Sequence, residues 1–223
     1  MKHVIVIGKT GQLARALRSR AKDHNVKVTA YGRSDCDLSI DTKALETFAQ
    51  NLPECDGLII AAAYTAVDKA EDETQIAQQV NGTAPGVFAR ECAKRNTPLV
   101  HISTDYVFPG NGKRPLSPDD ATDPINAYGA SKLAGERSIK SSDARAAILR
   151  TSWVFDGVGA NFMTTMLRLA KGRTELGIVA DQIGRPTYAG HLADASFAAL
   201  NKLMDEPSFN GGTYHVSGTG DPA

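Results

Sequence analysis

Val4-Ile5-Val6-Ile7-Gly8-Lys9-Thr10-Gly11-Gln12-Leu13-Ala14-Arg15-Ala16-Leu17 is a β-branched run that passes through two glycines into a helical pattern. Four consecutive apolar residues read as a strand buried on both faces. Leu13, Ala16 and Leu17 then recur at helical spacing within residues 12–22. Gly8 permits a tight turn, and Gly11 lets the backbone approach an anion where free N–H groups and the helix dipole favour one. Ala14 stands where a third small residue brings helix and strand close. The spacing is G-x-x-G-x-x-A, and a glycine-rich turn without a ligand is the alternative. Its place at the first strand–helix junction favours a pyrophosphate site, with Gly8, Gly11, Gln12 and Leu13 as its residues.

Outward from this junction the same alternation repeats. Residues 26–31, 57–63, 99–103 and 147–151 read as strands. Residues 41–50, 73–94, 126–138 and 161–171 read as helices, the second interrupted at Asn81-Gly82. Apolar strands alternating with helices predict right-handed crossovers and a doubly wound parallel α/β sheet, Rossmann-like, covered on both faces. Residues 108–124 contain Pro109, Gly110, Gly112, Pro115, Pro118 and Pro124, and so read as a long loop with little regular structure, functional or disordered. Beyond Ile178 the pattern loosens, then yields a helix at 191–204 and a strand at 213–216. The expected division is a dinucleotide-binding domain over 1–155 and a smaller lobe over 156–223, parts of which return to the first domain.

In 223 residues, 25 Lys and Arg balance 25 Asp and Glu. A zero net charge argues against a nucleic-acid or anionic-membrane binder, which needs a basic surplus. No apolar run approaches the ~18–20 residues of a membrane span, and the N-terminal run is too short for a signal peptide. Cys36, Cys55 and Cys92 are odd in number and widely spaced, which suits a reduced cytoplasm.

The second predicted strand ends in Ala30-Tyr31-Gly32-Arg33-Ser34. An acidic residue at this point would hold a ribose 2′-OH. Arg33 with Ser34 instead suits a 2′-phosphate, which favours NADPH over NADH; a solvated turn arginine is the alternative. Tyr128 and Lys132 lie four apart, on one face of a helix. A phenol of ordinary pKa ~10 exchanges protons poorly at neutral pH. A neighbouring ammonium lowers that pKa, so the spacing suits proton transfer. Thr104 ends a buried strand at the carboxyl edge of the sheet. Its hydroxyl can bond a carbonyl oxygen that is gaining charge, or merely cap the next turn.

These segments carry a resemblance. With Ala61-Ala62-Ala63-Tyr64-Thr65-Ala66-Val67-Asp68, Ser103-Thr104-Asp105-Tyr106-Val107-Phe108, Tyr128-Gly129-Ala130-Ser131-Lys132, Arg150-Thr151-Ser152-Trp153 and Asp181-Gln182-Ile183-Gly184-Arg185-Pro186-Thr187, the chain resembles the extended short-chain dehydrogenases/reductases. Among these it is most similar to the dTDP-4-dehydrorhamnose reductase family. The resemblance implies NADPH-dependent reduction of the C4 keto group of dTDP-6-deoxy-L-lyxo-4-hexulose to dTDP-L-rhamnose. Tyr128 would donate the proton, Lys132 would tune Tyr128 and hold the ribose, and Thr104, Asp105 and Trp153 would contact the sugar. Core packing is the alternative for Trp153. Gly11, Gln12 and Leu13 would face the pyrophosphate, Asp37 and Leu38 the adenine end, and the run from Ala61 to Thr65 the inner cofactor. The family is also associated with Mg²⁺ and with subunit pairing, so a homodimer is expected, although no His/Cys/acid cluster in the sequence marks a metal site.

Tyr106 stands where dehydratases of this superfamily carry an acid, which favours simple reduction. Ile60 stands where the family usually has Asn. The family also continues past a segment like residues 212–218 with further helices, so the lobe at 156–223 is expected to be partial. Two other readings are a non-catalytic NADP-binding subunit, similar to the regulatory subunit of methionine adenosyltransferase, and a reductase of another nucleotide-linked keto-sugar.

Overall fold

β1 (Lys2–Ile7), α1 (Gln12–Arg20), β2 (Val26–Tyr31), α2 (Thr42–Gln50) and β3 (Gly57–Ile60) form the first half of the chain's alternation. A broken helix follows, α3 (Thr74–Gln78) and α4 (Ala84–Lys94), joined by a π turn at Gln79–Thr83. β4 (Leu99–Thr104), α5 (Ala127–Lys140) and β5 (Ala146–Thr151) complete the central unit. The remaining elements are β6 (Val154–Phe155), α6 (Phe162–Ala170), β7 (Thr187–Tyr188), α7 (Ala189–Asp205) and β8 (Gly211–His215). The structure, a computed structural model, describes residues 1–112, 114–178 and 181–220, so the last three positions of the expected 156–223 lobe lie outside the described residues.

Six strands form one parallel sheet in the order β2-β1-β3-β4-β5-β8. The chain winds outward from β1 to β2, then crosses back to β3 and continues the other way. This reversal opens a crevice beyond the carboxyl ends of β1 and β3, where such sheets bind ligands. Alternate residues of β1 serve opposite layers. Ile5 and Ile7 pack with Leu45 and Ala49 of α2, Val87 and Phe88 of α4 and Ile139 of α5. Val4 and Val6 pack with Leu13 and Leu17 of α1 and Leu192, Phe197 and Leu200 of α7. Residues after 155 therefore contribute α7 and β8 to the main layers.

β3 stops at Ile60, three residues short of the expected end. The amides of Ala61 and Ala62 both donate to the Ile7 carbonyl, at 2.9 and 2.8 Å, which curls the chain over the end of β1. Ile60 itself is a core residue at 1% exposure. β6 and β7 form a separate two-stranded pair, in which Val154 faces Thr187 and Phe155 faces Tyr188. Between these two strands in the chain, α6 buries no residue at all, and Phe162 and Leu167 stay mostly exposed. Among the described residues no helix is long and apolar enough to cross a membrane.

Candidate active site

The turn after β1 is shaped by what its glycines lack. Gly8 has φ +122°, and a Cβ there would come within 3.0 Å of the Ala62 amide nitrogen. Glycine alone satisfies both constraints. This close approach sets the turn against the Ala61–Thr65 stretch, at the sheet's reversal point. Gly11 is the N-cap of α1 and offers no side-chain cap, and nothing stands within 4 Å of where its Cβ would project. The first amides of α1 thus form a cradle that fits a pyrophosphate. Leu13 is buried, so it can offer only its backbone. The Gln12 side chain turns toward the 154–161 stretch: its Nε2 donates to the Val154 carbonyl at 3.0 Å, and its Oε1 accepts from Asn161 at 3.1 Å.

Beyond β2, the Arg33 side chain is 82% exposed. Its Nε donates to Asp37 Oδ2 at 2.9 Å, while Asp37 Oδ1 accepts from the Ser39 amide and hydroxyl at 3.0 and 2.7 Å. These bonds, the Ser39 amide foremost, hold the Asp37 carboxyl below its usual range. Ser34 is exposed in the same turn. Leu38 is buried in the core below it, so its side chain is closed to an adenine ring. The sequence reading missed Lys9. Its stem crosses Gly32, and its Nζ lies 3.6 Å from Asp35, adding a second cation to this corner.

β4 delivers Thr104 at its carboxyl end, and α5, capped by the Asn126 side chain, presents Tyr128 and Lys132 beside it. Gly129 lies so close to the Tyr106 carbonyl that no side chain fits between them. Helix and turn are thus held together. Thr104 Oγ1 donates to Asp105 Oδ1 at 3.0 Å and accepts from the Tyr106 amide at 3.2 Å. The Tyr106 ring meets Tyr128 edge-on at 5.7 Å, a role the sequence did not suggest for it. The amide of Ala127, just before Tyr128, donates to Glu71 at 2.8 Å.

Lys132 is 2% exposed. Its Nζ donates to the Ile102 carbonyl at 2.6 Å and lies 3.4 Å from His101 Nε2. Burial lowers its pKa to about 8, against which the Glu136 charge works upward. Burial likewise pushes the Tyr128 phenol up to about 12, with the Thr104 hydroxyl pulling the other way. The expected lowering of Tyr128 by Lys132 is therefore not the dominant effect in this state. The ammonium is held at the backbone of β4, and desolvation decides.

Asn81, also missed, sits in the π turn and is 1% exposed. Its carboxamide grips the Tyr64 amide and carbonyl, both at 2.9 Å, and donates to Ser131 of α5 at 3.0 Å. The backbone of Tyr64, at the expected cofactor stretch, is thereby tied to the helix that carries Tyr128. The Asn-Gly interruption in the helical pattern was the available signal.

Trp153 is not a core residue. It is 38% exposed and has φ +44°, a strained conformation for an aromatic residue. Gly184 lies against the indole with no room for a Cβ, and the Thr187 amide donates to the Trp153 carbonyl at 3.2 Å. Among the described residues no group of three or more His, Cys, Asp or Glu side chains could hold a metal ion.

A half-buried Tyr with buried Lys and Thr groups, near a glycine turn on a parallel sheet, places the chain in a class, the NAD(P)-dependent short-chain dehydrogenases/reductases. The model of the RmlD substrate binding domain family matches residues 1–222. The dTDP-4-dehydrorhamnose reductase of Escherichia coli is 41% identical over 98% of this chain and 73% of its own. That of Salmonella typhimurium is 42% identical over 96% and 72%. A Bacillus anthracis dTDP-4-dehydrorhamnose reductase, solved in complex with NADP, superposes with a TM-score of 0.87 at 36% identity, covering 98% of this chain and 75% of that one. The chain belongs to the dTDP-4-dehydrorhamnose reductase family.

Proposed function

We propose that this chain reduces the C4 keto group of dTDP-6-deoxy-L-lyxo-4-hexulose to give dTDP-L-rhamnose, with NADPH as reductant. The observation that carries this is the meeting of Thr104, Tyr128 and Lys132 beyond β4, in a chain 41% identical to a reductase of that name. The first amides of α1 would seat the cofactor pyrophosphate, and Arg33 with Lys9 supplies positive charge for a 2′-phosphate. When bound, the nicotinamide supplies a hydride for C4.

The remaining work belongs to the protein. Reduction places a proton on the C4 oxygen, and Tyr128 is suited to give it, because a phenol with its pKa at about 12 is protonated at neutral pH. As negative charge grows on that oxygen, the Thr104 hydroxyl can turn from Asp105 to donate to it. The Lys132 ammonium, one turn along α5, would offset the phenolate left behind; with one N–H engaged by the Ile102 carbonyl, it retains donors that a ribose hydroxyl could accept from. Asp105 and Trp153 would bound the sugar. Proton transfer that needs this ammonium weakens as pH rises through about 8.

The division into a cofactor domain and a substrate lobe from residue 156, a homodimer and a cytoplasmic location complete the proposal. Three free cysteines, two of them buried, fit a reducing compartment. The test follows loss of NADPH absorbance with this keto-sugar and with other nucleotide-linked keto-sugars. Turnover of the dTDP sugar well above the others is expected. Tight NADPH binding without turnover of any of them would favour the non-catalytic reading, and faster turnover of another sugar would reassign the substrate.

A further inference from the structure

One charged pair that takes no part in the proposed chemistry is as deeply buried as the hydrophobic core. Glu136 of α5 is 0% exposed and Arg150 of β5 is 4% exposed. They meet fork to fork: Arg150 Nε donates to Glu136 Oε1 at 2.9 Å, and Nη2 donates to Oε2 at 2.7 Å. Ser103 Oγ donates to the same Oε1 at 2.6 Å. The third guanidinium nitrogen, Nη1, donates to the Pro118 carbonyl at 3.0 Å, and the group lies 4.9 Å from the centre of the Phe108 ring. One ion pair thus joins α5, the end of β4, β5 and the 108–124 segment.

Every one of these junctions adjoins the proposed site. Ser103 precedes Thr104, and Glu136 lies one turn beyond Lys132. The 108–124 segment connects the turn after Thr104 to the start of α5. Stability alone is a poor reason for such a pair, because apolar residues of similar volume are often as stable in its place. A bidentate fork provides a fixed geometry that apolar packing does not. We propose that Glu136 and Arg150 are positioning residues for the reduction, setting α5 and the 108–124 segment against the ends of β4 and β5 so that Tyr128 and Lys132 face Thr104 in one arrangement. This inference rests on the function proposed above. Glu136 has a second effect, as the carboxylate that favours the charged form of Lys132. The other titratable groups of this region are the buried, neutral His101 from β4, 3.4 Å from that ammonium, Tyr128 one turn back on the same helix, and Arg150, the ion-pair partner of Glu136.

The decisive variants of the whole chain are the double substitution Glu136→Met with Arg150→Met, and Glu136→Gln alone. The double variant is expected to melt within a few degrees of wild type and to bind NADPH within about twofold. Its KM for the keto-sugar should hold within about threefold while kcat falls on the order of 10²-fold. Glu136→Gln should move the alkaline limb of kcat to lower pH, because Lys132 loses its negative neighbour. A folded double variant with wild-type kcat overturns the proposal. If the double variant does not fold, Glu136→Gln and Arg150→Lys decide instead, and wild-type kcat with an unmoved pH limb in both overturns it. A wild-type chain that turns over no keto-sugar defeats the functional reading rather than the pair. Amide exchange then decides: faster exchange in the first two turns of α5 of Glu136→Gln supports positioning, and unchanged protection overturns it.

Discussion

The turn after β1 and the end of β4 are two halves of one crevice, built on opposite terms. The turn works by omission: Gly8 and Gly11 remove side chains, so the backbone of α1 is exposed and the Ala62 amide can come close. The end of β4 works by accumulation, with Lys132, His101, Glu136 and Arg150 all at or below 4% exposure. An anion seat made of backbone amides costs little to bury, because those amides are orphaned at a helix start in any case. A buried ammonium is expensive, and its pKa records that expense. The contrast teaches that the proposed seat for the cofactor phosphates is built locally, whereas the proposed proton transfer depends on four segments brought together by the fold.

The largest expected effect lies on the accumulated side. Tyr128→Phe removes the donor oxygen and leaves the ring to pack on Tyr106. It should lower kcat by about 10²–10⁴-fold while NADPH affinity stays near wild type, measured by turnover and by cofactor titration. Retained turnover would move the proton to another donor and break the division between the two halves.

Lys132 gives the next effect, and it reads on stability. Its pKa falls from 10.5 to about 8 on folding. Between those values the unfolded chain binds a proton that the folded chain does not, so stability rises with pH across this window. Below about pH 8 both states are charged, and the folded chain carries the whole cost of the buried ammonium. The shift amounts to on the order of 3 kcal/mol. Denaturant unfolding of wild type and Lys132→Met at pH 7 and pH 10.5 isolates it, since other titrating groups cancel in the difference. The wild type should gain on the variant by that amount, and a constant difference would show that burial does not set this group's charge.

How much of each half was legible follows from the same contrast. The turn was readable because strand, glycines and helix are contiguous, and β2 over 26–31 has both expected ends for a related reason, its pairing with β1 along its full length. α5 was placed to within two residues, with Asn126 as its cap. The end of β4 was readable only as residue types. Tyr128 and Lys132 announced themselves by spacing, but their pKa values depend on burial, which no spacing contains. Glu136 and Arg150 are 14 residues apart, and their pairing exists only once α5 packs on β5. An arginine inside the apolar run Ala146-Ala147-Ile148-Leu149-Arg150 was the signal that it needed a buried partner. The strands β6 and β7, two residues each and paired across more than 30 positions, left no pattern to read.

On the side of omission, Gly8→Ala should be the stronger perturbation. A methyl group at φ +122°, with the Ala62 amide 3.0 Å away, forces the turn off the chain that follows β3. A loss on the order of 2 kcal/mol is expected in unfolding experiments, with weaker NADPH binding as the cradle shifts. Unchanged stability would mean the turn tolerates a side chain, and that its backbone is not the fixed element supposed.

Arg33→Ala should have the smallest effect, and it sharpens the comparison at its edge. Arg33, like Lys9, is a proposed cofactor group that acts through an exposed side-chain charge, and its Nε is already engaged by Asp37. Solvent screening therefore limits what it contributes, and Lys9 supplies a second cation nearby. The expected loss in NADPH affinity is about fivefold, roughly 1 kcal/mol, with NADH affinity unchanged. The loss should shrink further in high salt, unlike the effect of Gly8→Ala, because only the former is electrostatic. Equal losses for both cofactors would remove Arg33 from the 2′-phosphate and leave Lys9 as the group that reads it.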